Sequence, residues 1–190
     1  YLSLRALKEL ITNSDTSKLA SVAERIWTPL FDICEGKDDA ARSMSADCLG
    51  RLTIADPERY LVQLQDRLRS DSASTRAAVL IAIRFTLTET AGNFDELLAP
   101  IIVEFLSLLK DADLEVRRHA VLAFSSAAYN KPHLLRDWLP TLLPLLYRET
   151  VPRPELLRKV PMGPFTITQD DGLELRKVSK SRCYPTDSQY

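Results

Sequence analysis

Lys110-Asp111-Ala112-Asp113-Leu114-Glu115-Val116-Arg117-Arg118-His119-Ala120 is the stretch on which the fold is decided. A short acidic turn closes one apolar run. An arginine four residues after Asp113 then opens another run, which continues into small and apolar side chains. The same phrase recurs along the chain. Gly36-Lys37-Asp38-Asp39 precedes Arg42, Ser70-Asp71-Ser72-Ala73 precedes Arg76, and Asp170-Asp171-Gly172 precedes Arg176. These anchor arginines are separated by 34, 41 and 59 residues. The first two spacings bracket the roughly 40-residue length of a two-helix repeat. Such units stack because one helical pair cannot bury its own apolar face.

Local signals support the helices. Asp56-Pro57-Glu58 supplies a capping carboxylate, a proline at the first helical position and an acid in the first turn. Leu61, Leu64 and Leu68 then share one stripe, as do Ile101, Phe105 and Leu108 after Pro100. The periodicity predicts helices over 2–13, 18–35, 40–55, 57–69, 74–90, 94–110, 113–129 and 133–149. The expected fold is all-α: a HEAT/ARM-like α-solenoid, a superhelix of helical hairpins, carrying one inserted hairpin or flap. Repeats occupy 1–149, the insertion 150–172, and an incomplete last repeat with an aberrant or disordered tail 173–190. Asp38 and Asp113 lie four residues before Arg42 and Arg117, a spacing at which side chains meet on one helix face. In a stack they can also bridge adjacent turns. Arg42, Arg76, Arg117, Arg176, Asp38 and Asp113 are therefore the expected repeat-stacking residues.

Composition excludes several functions. The 190 residues are 45% hydrophobic and 27% charged, so a sizeable core is available. Twenty-five Lys and Arg against 26 Asp and Glu leave a net charge of −1, without the basic surplus that phosphate binding needs. The five glycines are too scattered to cradle a phosphate. Cys34, Cys48 and Cys183 form no C-x-x-C pair, which argues against a disulfide framework and for a reducing, intracellular compartment. No apolar run reaches the ~20 residues of a membrane span. The chain starts on Tyr1 inside an amphipathic pattern, as a piece of something longer would. His119 and His133 lack the i, i+4 partner of a helical metal pair and read as surface or capping residues. The acids read as solvated helix faces. No catalytic, cofactor-binding or metal-ligating set emerges, so the expectation is a binding protein rather than an enzyme. Trp27 and Trp138 read either as packing between repeats or as exposed partner anchors.

The segment Thr150–Gly172 separates the last apolar helix from Arg176. Its prolines 152, 154, 161 and 164 exclude a continuous helix. Phe165-Thr166-Ile167-Thr168 alternates apolar and polar behind the turn signal Gly163-Pro164. This predicts a β-hairpin or extended flap, and loops inserted into repeats tend to serve binding.

At this stretch a family becomes recognisable. Pro161-Met162-Gly163-Pro164-Phe165, followed by Asp170-Asp171-Gly172-Leu173-Glu174-Leu175-Arg176-Lys177, resembles the C-terminal region of the cullin-associated, neddylation-dissociated HEAT-repeat (CAND) proteins. The run 109–118 is compatible with them, and the resemblance covers most of residues 1–177. It implies a scaffold for unmodified cullin–RING assemblies, in the cytoplasm and nucleus, that exchanges substrate-receptor adaptors by competing with them. It further implies that the insertion is the competing hairpin, with Met162 and Phe165 as its apolar tips and Gly163, Pro164 and Ile167 beside them. No cofactor, nucleic acid or membrane is implied. Another HEAT scaffold, such as a karyopherin-like transport receptor or a phosphatase scaffold, is the alternative, but would not need the Met-Gly-Pro-Phe flap. After Lys177 the sequence turns polar where the family pattern demands an apolar helix, as in a truncated or mis-joined reading frame. A far-UV circular dichroism spectrum should be dominated by helix; a predominantly strand spectrum would refute the repeat reading.

Overall fold

In a computed structural model, which describes residues 2–14, 16–89, 94–163 and 165–183, the chain is an all-α, HEAT-like solenoid with one small sheet. Helices α1 (Leu2–Asn13), α2 (Thr16–Cys34), α3 (Asp39–Ala55), α4 (Pro57–Asp66) and α5 (Ala73–Thr88) form the first part. Then follow α6 (Asp95–Leu98), α7 (Ile102–Ser107), α8 (Leu114–Asn130), α9 (Leu139–Thr150), strands β1 (Leu157–Met162) and β2 (Phe165–Asp170), and α10 (Leu173–Cys183). Short 3₁₀ turns extend α4 and α7 and precede α9 and β1.

Each repeat pairs an outer helix with an inner one: α2 with α3, α4 with α5, α6–α7 with α8, and α9 with α10. The inner helices α1, α3, α5, α8 and α10 stack side by side in one layer. Their sequences explain this. The three central ones, α3, α5 and α8, are rich in alanine and small polar residues, so their backbones approach closely. Ala46, Ala82, Ala120 and Ala123 are fully buried, and Ser45 donates from Oγ to the Leu30 carbonyl at 2.7 Å. The outer helices supply the bulk, with Phe31, Leu64, Phe105 and Leu106 filling the space behind. Trp27 is 4% exposed, stacked on Tyr60 with ring centroids 4.2 Å apart and edge-on to Phe31. Packing thus accounts for Trp27, whereas Trp138 remains 40% exposed. Burial pushes the Cys34 and Cys48 thiols up to about 11, as befits packed, unreactive groups.

Several expectations need correction. The helix read over 94–110 is broken at Ala99–Ile101, because Pro100 has no N–H to continue the hydrogen-bond ladder. The helix read over 133–149 begins only at Leu139. Pro140 is tolerated in the first turn but could not have donated to a carbonyl four residues back. The last repeat also has its inner helix. The polar run beyond Lys177 continues α10 as far as Cys183, with Leu175 and Ser179 buried and Ser179 Oγ donating to the Leu175 carbonyl. Leu142 and Leu146 of α9 are buried and α9 packs on α10, while Leu143 stays exposed. Residues 184–190, part of the expected tail, lie outside the described residues.

Asp38 and Asp113 are helix caps rather than ion-pair partners of Arg42 and Arg117. Asp38 Oδ1 accepts from the Ala40 and Ala41 amides, and Asp113 Oδ1 accepts from Glu115 and Val116. At four residues' distance, a carboxylate preceding the first turn finds orphan amides closer than any side chain. Ser72 caps α5 in the same way.

Gly50 marks a close approach between the inner helices α3 and α5. A Cβ there would lie 2.3 Å from Cδ2 of Phe85 on α5. Gly50→Ala should therefore destabilise the fold by about 1–3 kcal/mol through overpacking. Adding Phe85→Leu should recover part of the loss in denaturant melts. A single Gly50→Ala variant as stable as the parent would mean that the ring swings aside freely.

Candidate protein-interaction site

The hairpin forms because its sequence alternates and its turn is permissive. Gly163 has φ +64°, a conformation that favours glycine, and stands at the two-residue connection between strands. The antiparallel register pairs Met162 with Phe165, Pro161 with Thr166, Val160 with Ile167 and Lys159 with Thr168. Successive strand residues face opposite sides, so Met162, Phe165, Val160 and Ile167 share one face and Pro161, Thr166, Lys159 and Thr168 the other. The first face is apolar and open to solvent: Met162 is 63%, Phe165 72% and Ile167 44% exposed. The structure thus gathers Met162, Gly163, Phe165 and Ile167 in one hairpin, and Pro164 lies outside the described residues. Val160 completes the apolar face. It went unnoticed in the sequence because Pro161 and Lys159 hide its alternation.

The foot of the hairpin is ionic. Arg176 forks onto both carboxylate oxygens of Asp170, which also accepts from the Gly172 amide. The Arg176 guanidinium thereby holds the Asp170 carboxyl below the usual aspartate range. Arg158 reaches Asp171 at 2.9 Å, and the Asp171 amide donates to the Leu156 carbonyl across the base. On the N-terminal side, Arg153 reaches Glu149 at 2.5 Å.

The anchor arginines do one thing in common: each reaches back six residues to the turn. Arg42 Nη1 donates to the Gly36 carbonyl, Arg76 Nη1 to Ser70, and Arg117 Nη1 to Asp111, while Arg176 takes the Asp170 carboxylate. Two of them also join neighbouring repeats. Arg76 binds Asp111 through Nε at 2.7 Å and Nη2 at 2.9 Å, and Arg117 Nε lies 3.4 Å from Glu149. Burial raises the Asp111 carboxyl, but the hydrogen bonds from Arg76 and the Asp113 amide outweigh it and leave it lowered overall. Arg42 instead pairs locally with Asp39.

The acids are therefore not all solvated faces, as expected from sequence. Glu149 is 1% exposed and Arg117 5%. Glu149 was missed because its partner Arg117 lies 32 positions away and nothing local distinguishes it from any helix-ending glutamate. The histidine rings lie within hydrogen-bond distance of acids: His119 and Arg118 flank Glu115, and His133 shares Asp95 with Lys131. Glu115, hydrogen-bonded first by His119 and then by Arg118, is held well below the usual carboxylate range. A groove of about 600 Å³ runs past the N-termini of α3, α5 and α8. Among the described residues, no group of His, Cys, Asp and Glu could hold a metal ion, and no helix is long and apolar enough to cross a membrane.

The family described as "TATA-binding protein interacting (TIP20)" matches residues 134–185, a span that contains α9, the hairpin and α10. Along its length the chain is 45% identical over 184 residues to Cullin-associated NEDD8-dissociated protein 1 of Drosophila melanogaster, covering 94% of the chain and 15% of that protein. The Arabidopsis thaliana protein of the same name is 43% identical over 182 residues, again covering 94% of the chain and 15% of the relative. A protein of Emericella nidulans named as the C-terminal part of Cullin-associated NEDD8-dissociated protein 1 is 38% identical over 187 residues, covering 97% of the chain and 18% of the relative. The chain thus spans under a fifth of the length of these relatives.

Glu149→Ala leaves Arg117 buried without its counter-charge, which should cost about 3–5 kcal/mol. Glu24→Ala, which breaks the exposed pair with Arg59, should cost about 0–1 kcal/mol. Chemical denaturation of both variants would check the contrast, and equal losses would contradict it.

Proposed function

The chain is homologous along 94% of its length to a segment of the cullin-associated NEDD8-dissociated proteins, and from this we propose that it is a cullin-binding scaffold segment, not an enzyme. In this reading the broad solenoid surface holds a cullin–RING assembly that lacks its ubiquitin-like modifier. The hairpin occupies the place where a substrate-receptor adaptor would sit, so that the scaffold displaces adaptors and promotes their exchange. The cytoplasm and nucleus are where such an exchange would take place.

One observation carries the proposal: the open apolar face of the hairpin. A two-stranded ribbon has no core of its own, so Phe165 and Met162, at 72% and 63% exposure, spend their apolar surface on solvent unless a partner covers it. An exposed aromatic on a footed, narrow projection suits insertion into a partner's pocket. It does not suit catalysis, for which no clustered titratable set is present on the hairpin.

A competition assay tests this, with labelled adaptor on an unmodified cullin and the scaffold in its intact array. Phe165→Ala should weaken displacement by roughly thirtyfold, the equivalent of about 2 kcal/mol for an aromatic anchor. Deleting 161–169 should abolish displacement while cullin binding largely persists. Equal displacement by parent and deletion would refute the competing role. Recovery of a nuclear-transport GTPase or a phosphatase in place of cullin would favour another kind of HEAT scaffold.

A further inference from the structure

Glu149, in the last turn of α9, has a carboxylate that is 1% exposed, and three guanidinium groups converge on it. Arg117 of α8 contributes Nε at 3.4 Å and Arg148 of α9 contributes Nη2 at 3.2 Å, both to Oε1. Arg153 contributes Nη2 at 2.5 Å to Oε2. One carboxylate needs one counter-charge, and Arg117 with Arg148 already exceeds that. Neutralisation does not explain Arg153.

Its place in the chain does. Arg153 lies in the extended link between α9 and β1, with φ −116° and ψ 118°. Beyond it the hairpin stands in solvent, and both strands are exposed along nearly their whole length. The other end of the hairpin is held by Asp170 on Arg176, which belongs to α10. A ribbon tied at one foot can swing about that foot, whereas one tied at two feet on different helices has a set direction.

We infer that Glu149, acting through Arg153, is the positioning residue that sets the direction of the hairpin tip relative to the stack. Because the same carboxylate faces Arg117, whose Nη1 grips the turn of the third repeat, that direction is tied to how the third and fourth repeats meet. The geometric statement is independent of the function proposed above; only its consequence for adaptor displacement rests on that reading.

Pulsed electron paramagnetic resonance tests it in a Cys183→Ser background, with spin labels at Thr166→Cys on the hairpin and Tyr129→Cys on α8. Both parent positions are exposed. Cys34 and Cys48 are buried, with thiols pushed up to about 11, so they resist labelling. The parent should give one narrow distance peak. Arg153→Met, which leaves Arg117 and Arg148 on Glu149, should broaden or shift that peak, and Arg153→Lys should restore it. Arg148→Met removes a guanidinium from the same carboxylate without touching the link, so the peak should stay narrow. An unchanged peak in Arg153→Met, or equal broadening in Arg148→Met, would overturn the inference. The same Arg153→Met protein then enters the adaptor competition. A broadened peak with weaker displacement supports both readings, whereas a broadened peak with undiminished displacement leaves the positioning role standing and overturns its consequence for displacement.

Discussion

Arg117 is buried with its guanidinium divided between two tasks, and the joint between the third and fourth repeats depends on both. Nη1 donates to the carbonyls of Asp111 and Ala112, closing the turn that precedes its own helix, while Nε faces Glu149 of the next repeat. The Asp111 carbonyl is half-buried, and a partner within the protein offsets part of the cost of taking it out of water. The first-turn amides of Glu115 and Val116 are taken by the Asp113 carboxylate. A long, forked, permanently charged side chain from the next helix turn solves that problem. Because it leaves one edge of the fork free, it also creates a positive group at the surface where the following repeat must dock. Closing the turn and choosing the neighbour are therefore one event.

Arg76 repeats the arrangement one unit earlier, with Asp111 in the place of Glu149. The result is a line of alternating charges along the turn ridge: Arg76, Asp111, Arg117, Glu149, Arg153. Apolar packing between alanine-rich inner helices supplies most of the cohesion but little register, since one alanine face resembles another. Paired charges, costly when mismatched, give the two junctions bridged by Arg76 and Arg117 their setting. The insertion uses the same chemistry at its feet, which is how a ribbon without a core keeps its shape.

Much of this could be read in the sequence, and the unread part has a common cause. The recurring turn and arginine identified the repeats because they are local patterns of a few residues. The hairpin was visible in Gly163-Pro164 and the alternation after it, both local again. The apolar character of Met162 and Phe165 needed no structure. What stayed hidden was non-local or a matter of competition. Glu149 looked like any solvated acid until α8 was laid against α9. Asp38 and Asp113 had two acceptable partners each, a side chain four residues on or the amides next to them, and the amides won by proximity. Pro100 was noted at the head of an apolar stripe, yet the periodicity running through it and through Pro140 suggested continuity that their missing amides forbid. The helix beyond Lys177 was missed because its sequence is polar, and only the burial of Leu175 and Ser179 against α8 and α9 gives it a reason to form.

Pro161 has a consequence of a different kind. The hairpin is a two-stranded sheet with both outer edges uncovered, the arrangement that invites other chains to add strands. Pro161 removes a donor from β1 and Lys159 places a charge two residues away, so β1 is a poor template for a further strand. β2, with Thr166 and Thr168, carries no such block. Two copies of the hairpin that paired through β2 would use up the open edge of each and leave only the two β1 edges outward. Pro161 thus confines strand addition at the hairpin to the β2 edge.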